Sequence, residues 1–553
     1  MKVFLLHRDH DFNVDPELRD VMFAAMMSGN LYAIHNARRE LERQQRASTA
    51  PAPPSKYDQL AQDLELETLW TAMAGGDEYL YETAKRTVLT GLSDPDEIRY
   101  RQSVLADCLE CSEVIRQLYE LAIEALAGER AAGSFWTGAR PDWILNWSVR
   151  RLKLYLGVLR QLRRIADEHA PSFRSPGFGR FFAMVQQELA DDYLEAVEQH
   201  LRELALGRGV LESAELGKGD KGRAYVFHET PPDPTWKQRL VPGKQPPSFS
   251  FELHPRDEAG FRALGEIRGR GLGAVADAVA QSADHVQSFF TMLRLELAFY
   301  LGCLNLHGWL EAKGEPTCFP EPVGEESLVL SACGIYDVCL TLHVRERVVG
   351  NDLNADGKSL VMITGANQGG KSTLLRSLGL AQLMMQSGVF VAAQSFRAGV
   401  CAGVFTHYKR EEDAAMEGGK LDEELSRMSD IVDRIKPASM LLCNESFAST
   451  NEREASEIAR QVVRAMLERR IRVVFVTHLY DLAHSFHAQH LDAALFLRAE
   501  REPDGRRTYK VPEGEPLRTS YGEDSYRRIF RDVEAPRAAV ESGPGDARAA
   551  RTR

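Results

Sequence analysis

The chain has 553 residues, 44% hydrophobic and 27% charged, with a formal net charge of −12 and a pI near 5.8. That length and apolar content require more than one globular domain and exclude a fibrous or wholly disordered chain. The acidic balance excludes nucleic-acid binding through bulk charge, so any such contact must come from local basic patches.

The first 55 residues predict a short strand-like start, a helix-like stretch from Leu18 to Arg46 and a Pro-rich linker, Thr49-Ala-Pro-Ala-Pro-Pro54. Met1 to His7 is too short for a signal-peptide core, and no apolar run of about 18 residues predicts a membrane span. The eight cysteines are scattered, and Cys108-x-x-Cys111 has no second pair at zinc spacing. These features predict a cytoplasmic, reduced protein with no membrane.

Residues 56–210 carry helical periodicity, from Leu60, Leu64, Leu69 and Met73 to Phe182, Val185 and Leu189. Short strands are expected within a β-rich insertion at about 211–260: Val210-Leu211, Tyr225 to Phe227, and Ser248 to Glu252. Lys218, Lys221 and Arg223 lie in the Gly-rich stretch 217–223, with Lys237, Arg239, Lys244, Arg268 and Arg270 beyond. Glycine interleaved with basic residues suits close approach to phosphates, and it equally suits a solvated hairpin. A long helix is predicted over about Leu272 to Glu311, and a β-rich segment over about 328–350.

The most specific motif comes next in the chain. Gly365-Ala-Asn-Gln-Gly-Gly-Lys-Ser372 has the spacing G-x-x-x-x-G-K-S, after an apolar run (Leu360 to Ile363) and before a helix-permissive one (Leu374 to Met385). That strand–loop–helix context predicts a phosphate-binding loop formed by Gly365, Asn367, Gly369, Gly370, Lys371, Ser372 and Thr373. Lys371 should reach the β- and γ-phosphates of ATP, and the Ser372 hydroxyl should hold Mg²⁺. Met440 to Cys443 predicts a strand ending in Asn444-Glu445. Glu445 is placed to orient or deprotonate water, while Asn444 stands where an acidic metal partner is usual. Ser449 with Glu452, and Asn451 with Glu454, fit capping boxes for a helix to about Arg470. A third strand, Arg472 to Val476, ends in Thr477-His478, a γ-phosphate sensor position. Gln394 has the spacing of a Q-loop glutamine.

Together, Ile363 to Thr373, Asn444-Glu445 with its Ser/Thr/Asn-rich cap, and Thr477-His478 resemble the ATPase domain of the MutS family, the DNA mismatch-repair ATPases of the ABC superfamily. Asn351, Asn367 and Ser520-Tyr521-Gly522 add to the resemblance, which covers about 328–530. Asp94-Pro-Asp-Glu to Leu105 resembles the start of the MutS helical core. The resemblance implies a multidomain layout: 1–55, an N-terminal segment and linker; 56–327, an α-helical core and lever domain with the clamp-like β insertion; 328–535, an α/β P-loop ATPase domain of ABC type. The Pro-, Gly- and charge-rich composition of 536–553 predicts a disordered tail. The resemblance also implies a homodimer. The roughly 55 residues ahead of the helical region are too few for the family's wedge module and offer no Phe-x-Glu wedge. The trans-acting serine of the family's signature segment is replaced around Gly419 or Lys420. The adenine-stacking aromatic falls near Val348, with Arg498 as a candidate replacement. Two functions stay open: a DNA-binding ATPase without mismatch-wedge recognition, and a nucleotide-dependent scaffold acting through a protein partner.

Overall fold

The structure, a computed structural model, describes residues 1–12, 56–132, 141–204, 211–216, 218, 222–228, 258–325, 327–410, 419–502 and 506–518. The residues Ser248 to Glu252, Lys221, Lys237, Arg239, Lys244, Ser520 to Gly522 and the tail 536–553 lie outside them. The chain divides into two compact units. One holds 1–327, 338–347 and 380–400, and the other holds 328–337, 348–379 and 401–553.

The first unit is helical. Its elements are α1 Lys56–Asp63, α2 Leu66–Ala74, α3 Glu78–Leu89, α4 Pro95–Glu110, α5 Ser112–Ala132, α6 Pro141–His169, α7 Pro176–Glu188, α8 Asp191–Glu203 and α9 Glu258–Ala312. Local chemistry sets several starts. Asp94 caps α4 by accepting from Asp96 N at 2.9 Å, with Pro95 filling the first turn, and Ser175 caps α7 ahead of Pro176. The 55 residues of α9 make it about 80 Å long. It packs against α2, α3, α5 and α6. Its start corrects the expected Leu272, and Arg268 and Arg270 therefore lie inside a helix. A window within Leu272–Ala312 is apolar enough to cross a membrane, contrary to the hydropathy reading, yet 83% of it is buried in protein, as for a core helix. The hairpin β1 Leu211–Leu216 and β2 Gly222–His228 confirms strands in this region, with Glu215 opposite Arg223.

Side chains hold the start of the chain in this unit. Leu5 N and Leu6 N donate to Glu296 Oε2 at 2.6 and 3.0 Å, while Tyr300 Oη donates to Leu5 O at 2.6 Å. Arg101, fully buried, donates to Leu6 O and Ser387 O. Burial pushes the Glu296 carboxyl up to about 8 against those two N–H groups. Two short strands also belong here, β3 Glu321–Val323 and β7 Ser395–Gly399, paired in parallel.

In the second unit, β4 Leu330–Ile335 pairs antiparallel with β5 Asn351–Asn354. The stretch expected to be β-rich also contains a helix, α10 Val338–His343, which clusters with the first unit. The main sheet is five parallel strands: β6 Leu360–Gly365, β8 Val404–Tyr408, β9 Met440–Asn444, β10 Arg472–Val476 and β11 Ala494–Ala499. Their order is β11-β6-β10-β9-β8. Continuous apolar runs suit strands covered on both faces. The crossover helices are α11 Lys371–Gln386, α12 Lys420–Arg434, α13 Glu452–Glu468 and α14 Tyr480–His487. Met428, Leu441, Phe447, Val463 and Phe475 pack in one core beneath α12 and α13. Asn451 caps α13 by accepting from Glu454 N at 3.1 Å. The other expected capping box does not form, because the Ser449 hydroxyl donates to buried Glu424 instead.

Candidate active site

Three neighbouring parallel strands end together. In register, Val476 of β10 faces both Ile363 of β6 and Asn444 of β9. Strands lie about 4.8 Å apart, so the residues just past these strand ends gather in one cluster at the sheet's carboxyl edge. Backbone bonds tie the ends: Thr477 N donates to Ile363 O at 3.0 Å, and Glu445 N to Val476 O at 2.9 Å.

After β6 the chain wraps into a loop through Gly365 at φ 105°, Gln368 at φ 57° and Gly370 at φ 89°. The loop is closely packed from outside. A Cβ on Gly365 would meet Ala499 N at 2.9 Å, and one on Gly369 would meet Ala499 Cβ at 2.7 Å. Glycine is required there by close approach as much as by its dihedrals. Lys371 opens α11 and is 5% exposed. Its Nζ donates to Gly365 O at 2.8 Å and Ala366 O at 3.0 Å, curling over the loop. Burial lowers its pKa to about 8, with Arg507 adding to the fall and Glu445 opposing it. Ser372 Oγ donates to Asn444 Oδ1 at 3.0 Å. Thr373 lies on the first turn of α11, and Asn367 is exposed at the loop's tip.

Glu445 has φ 54° and is about a third exposed. His478 Nε2 donates to its Oε1 at 2.6 Å. That hydrogen bond, ahead of any charge effect, holds the carboxyl below the usual range and keeps it ionised. Lys371, Ser372, Asn444, Glu445 and His478, the first and last more than a hundred residues apart in sequence, thus meet at one edge. Gln394 is exposed just before β7, in the first unit. Lys218 is exposed beside the β1–β2 hairpin and Arg223 lies in β2.

Two features of the site had no sequence signal. The first is a hairpin continuing β11. Arg498 N donates to Pro512 O at 2.9 Å, Glu500 N to Lys510 O at 2.8 Å, and Glu502 N to Arg506 O at 3.0 Å. Its returning arm lies on the Gly365–Thr373 loop. Arg507 Nε donates to Asn367 O at 3.2 Å, and a Cβ on Gly370 would meet Tyr509 O at 3.2 Å. Tyr509 has φ 58° and is 52% exposed. Asn351 anchors this arm, donating from Nδ2 to Tyr509 O at 3.1 Å and accepting from Val511 N at 2.8 Å. Lys510 also reaches Gly350 O. Val348 is half-buried, whereas Arg498 lines the loop, with Cγ 3.1 Å from a Cβ placed on Gly365.

The second is His407, buried at the end of β8. Its ring nitrogens meet Ser446 Oγ at 2.7 Å and Glu424 O at 3.0 Å, and its ring stacks on Phe447 at 5.3 Å. Burial, then Arg427, lowers its pKa to about 4, so it is neutral. It joins the turn after Glu445 to α12, which starts after Gly419.

Two family models match this chain: the MutS2 N-terminal domain over residues 93–313 and MutS domain V, an ATPase-type domain, over residues 361–530. The chain belongs to the MutS family. It is 30% identical over 219 residues to the DNA mismatch repair protein MutS of Synechococcus sp. (strain CC9311), covering 39% of this chain and 22% of that protein. It is 29% identical over 202 residues to the DNA mismatch repair protein MutS of Porphyromonas gingivalis, covering 33% and 23%. With Endonuclease MutS2 of Streptococcus pneumoniae (strain Hungary19A-6) it shares 29% over 201 residues, covering 35% and 25%. The match thus spans a quarter or less of these relatives' length.

Proposed function

We propose that this MutS-family chain binds and hydrolyses ATP with Mg²⁺, binds DNA, and works as a homodimer. The observation that carries the reading is the convergence of the Gly365–Thr373 loop with Asn444, Glu445 and His478 at the ends of three adjacent parallel strands.

The residues fit the nucleotide and metal. Lys371 is folded over backbone oxygens that a β- or γ-phosphate oxygen can replace, and the loop amides and the N-terminus of α11 favour anionic charge. Ser372 and Asn444 would hold Mg²⁺, which supplies charge neutralisation of the phosphate oxygens. Asn444 contributes only a neutral oxygen, so its pull on the cation is weaker than a carboxylate's. Glu445, ionised, can orient a water and take its proton, while His478 fixes the carboxylate rotamer and stands ready for the γ-phosphate. Tyr509, exposed where the hairpin crosses Gly370, offers a ring face to the adenine. The Lys218, Lys221 and Arg223 stretch is the proposed clamp contact to DNA phosphates.

The test is a pair of variants. Lys371→Ala abolishes measurable ATP binding in equilibrium dialysis. Glu445→Gln retains ATP, slows turnover about 10²-fold or more, and accumulates an ATP-bound dimer on size-exclusion chromatography. Unchanged affinity in the first or wild-type turnover in the second refutes the site. Absence of duplex DNA binding by the wild-type protein at low salt moves the reading to a nucleotide-dependent scaffold that acts through a protein partner.

A further inference from the structure

A long run of positive charge, uncompensated within the run, lies on α6. Between Trp143 and Ala166 the sequence holds six basic residues and no acidic one, in a chain of net charge −12. Three of the six are neutralised. Arg151 pairs with Asp284, Arg160 with Glu198 on α8, and Arg163 with Asp167. The other three, Arg150, Lys153 and Arg164, are exposed and make no ion pair among the described residues.

These three share one stripe. At about 100° per residue, Trp143, Arg150, Lys153, Leu154, Gly157 and Arg164 fall within about 100° of the helix circumference. Trp143 is 72% exposed and Leu154 49%. Arg150 and Arg164 are about 21 Å apart along the axis, with Gly157 leaving the backbone open between them. The opposite face, carrying Leu145, Val149, Tyr155 and Leu162, is buried, largely against α9. An interfacial membrane helix needs that wide apolar face free for lipid, so a lipid surface does not fit. Trp147 is excluded as a second platform, because Arg151 sits over its ring at 4.3 Å.

A row of exposed cations beside an open indole matches a polyanion that also carries flat aromatic groups. We propose that the outward stripe of α6 binds single-stranded nucleic acid, with Arg150, Lys153 and Arg164 on successive phosphates and Trp143 stacked on an unpaired base. A duplex offers the phosphates but keeps its bases stacked on each other, so Trp143 favours the single strand. The stripe shares no residue with the β1–β2 hairpin or the nucleotide site, and the proposal does not depend on either.

Fluorescence anisotropy with fluorescein-labelled dT20 and a 20-base-pair duplex, at 50 and 200 mM salt, tests it. Arg150→Glu/Lys153→Glu/Arg164→Glu is expected to weaken dT20 binding about tenfold or more and to flatten the log–log salt slope by about 2, at roughly 0.7 per phosphate on single strands. Trp143→Ala is expected to weaken dT20 binding about fivefold or more while leaving the salt slope unchanged. Because all four side chains are exposed, both variants should keep the wild-type circular dichroism and ATP affinity. Arg150→Glu alone gives a milder version if the triple variant does not fold. Wild-type protein that binds the duplex but not dT20 overturns the proposal and leaves duplex binding through the hairpin intact. Loss in Lys218→Glu/Lys221→Glu/Arg223→Glu with none in the α6 variants overturns it as well. Binding that depends on the charges but not on Trp143 overturns the single-strand assignment.

Discussion

Raising the pH from 7 to 9 is expected to weaken ATP binding about tenfold, through Lys371. In the free protein its ammonium is buried in the loop and titrates near pH 8, far below an exposed lysine. A bound triphosphate supplies several negative charges within contact distance and keeps the group protonated well above that pH. The free protein must therefore take up a proton to bind ATP once the pH exceeds about 8. With a free pKa of about 8, the charged fraction falls from about nine-tenths at pH 7 to about one-tenth at pH 9. The loss is about tenfold in Kd, or about 1.4 kcal/mol. Titration calorimetry at half-unit steps in buffers of different ionisation enthalpy reads both Kd and proton uptake. Lys371→Arg is the control, since a guanidinium stays charged throughout, and its pH profile should be flat. A flat wild-type profile with no proton uptake at pH 9 refutes the argument, because Lys371 would then be fully charged in the free loop.

Three further outcomes are expected. Asn444→Asp should lower the Mg²⁺ concentration for half-maximal ATPase, since a carboxylate attracts a hard cation more strongly than an amide does, and identical midpoints would refute the role given to Asn444. Glu296 has a folded-state pKa raised to about 8 from an ordinary value of 4.5, so the folded state binds the extra proton and stability falls as pH rises through that window. Glu296→Gln should therefore lose less Tm than wild type between pH 5 and 8, and parallel curves would count against the raised pKa. His407→Leu should cost about 1–3 kcal/mol by removing the ring's hydrogen bonds to Ser446 Oγ and the Glu424 carbonyl from the core, read by urea unfolding, whereas His407→Gln should recover part of it.

The strand–loop–helix form around Gly365–Thr373 was legible in the sequence because its signal is local: eight consecutive residues carry the spacing, and the flanking runs declare a strand and a helix. The cap at Asn451 was legible for the same reason. Ser449 misled because a hydroxyl two residues upstream of the true cap carries the same pattern, and its partner Glu424 is on another helix. The start of α9 was hidden by Gly265, Gly269, Gly271 and Gly273, each of which lowers intrinsic helix propensity by about 1 kcal/mol. The hairpin arm over Gly370 gave no signal at all. Its position depends on the pairing of β11 with β6 and on the Asn351 anchor, both long-range. A lone histidine such as His407 is equally silent until β8 and α12 close around it.

The charge balance of the site gives Asn444 its consequence. Around the loop stand Lys371, Arg507 on the hairpin and Arg498 at the end of β11, while Glu445 is the carboxylate joined to the strand-end cluster, held by His478. An aspartate at 444 would add a second anion within reach of Ser372, and the two carboxylates would repel one another until a cation arrived. With asparagine, Ser372 stays hydrogen-bonded and Lys371 stays curled over the loop without that repulsion. On the proposed function, the same neutrality would leave most of the cation affinity to Ser372 and the phosphates, with only a neutral oxygen from Asn444. The arrangement would then favour capture of the nucleotide's negative charge over prior capture of the metal. Metal and nucleotide should enter together as one complex, and the step most exposed to the substitution is the positioning of the cation beside Glu445, which is where turnover rather than binding is decided.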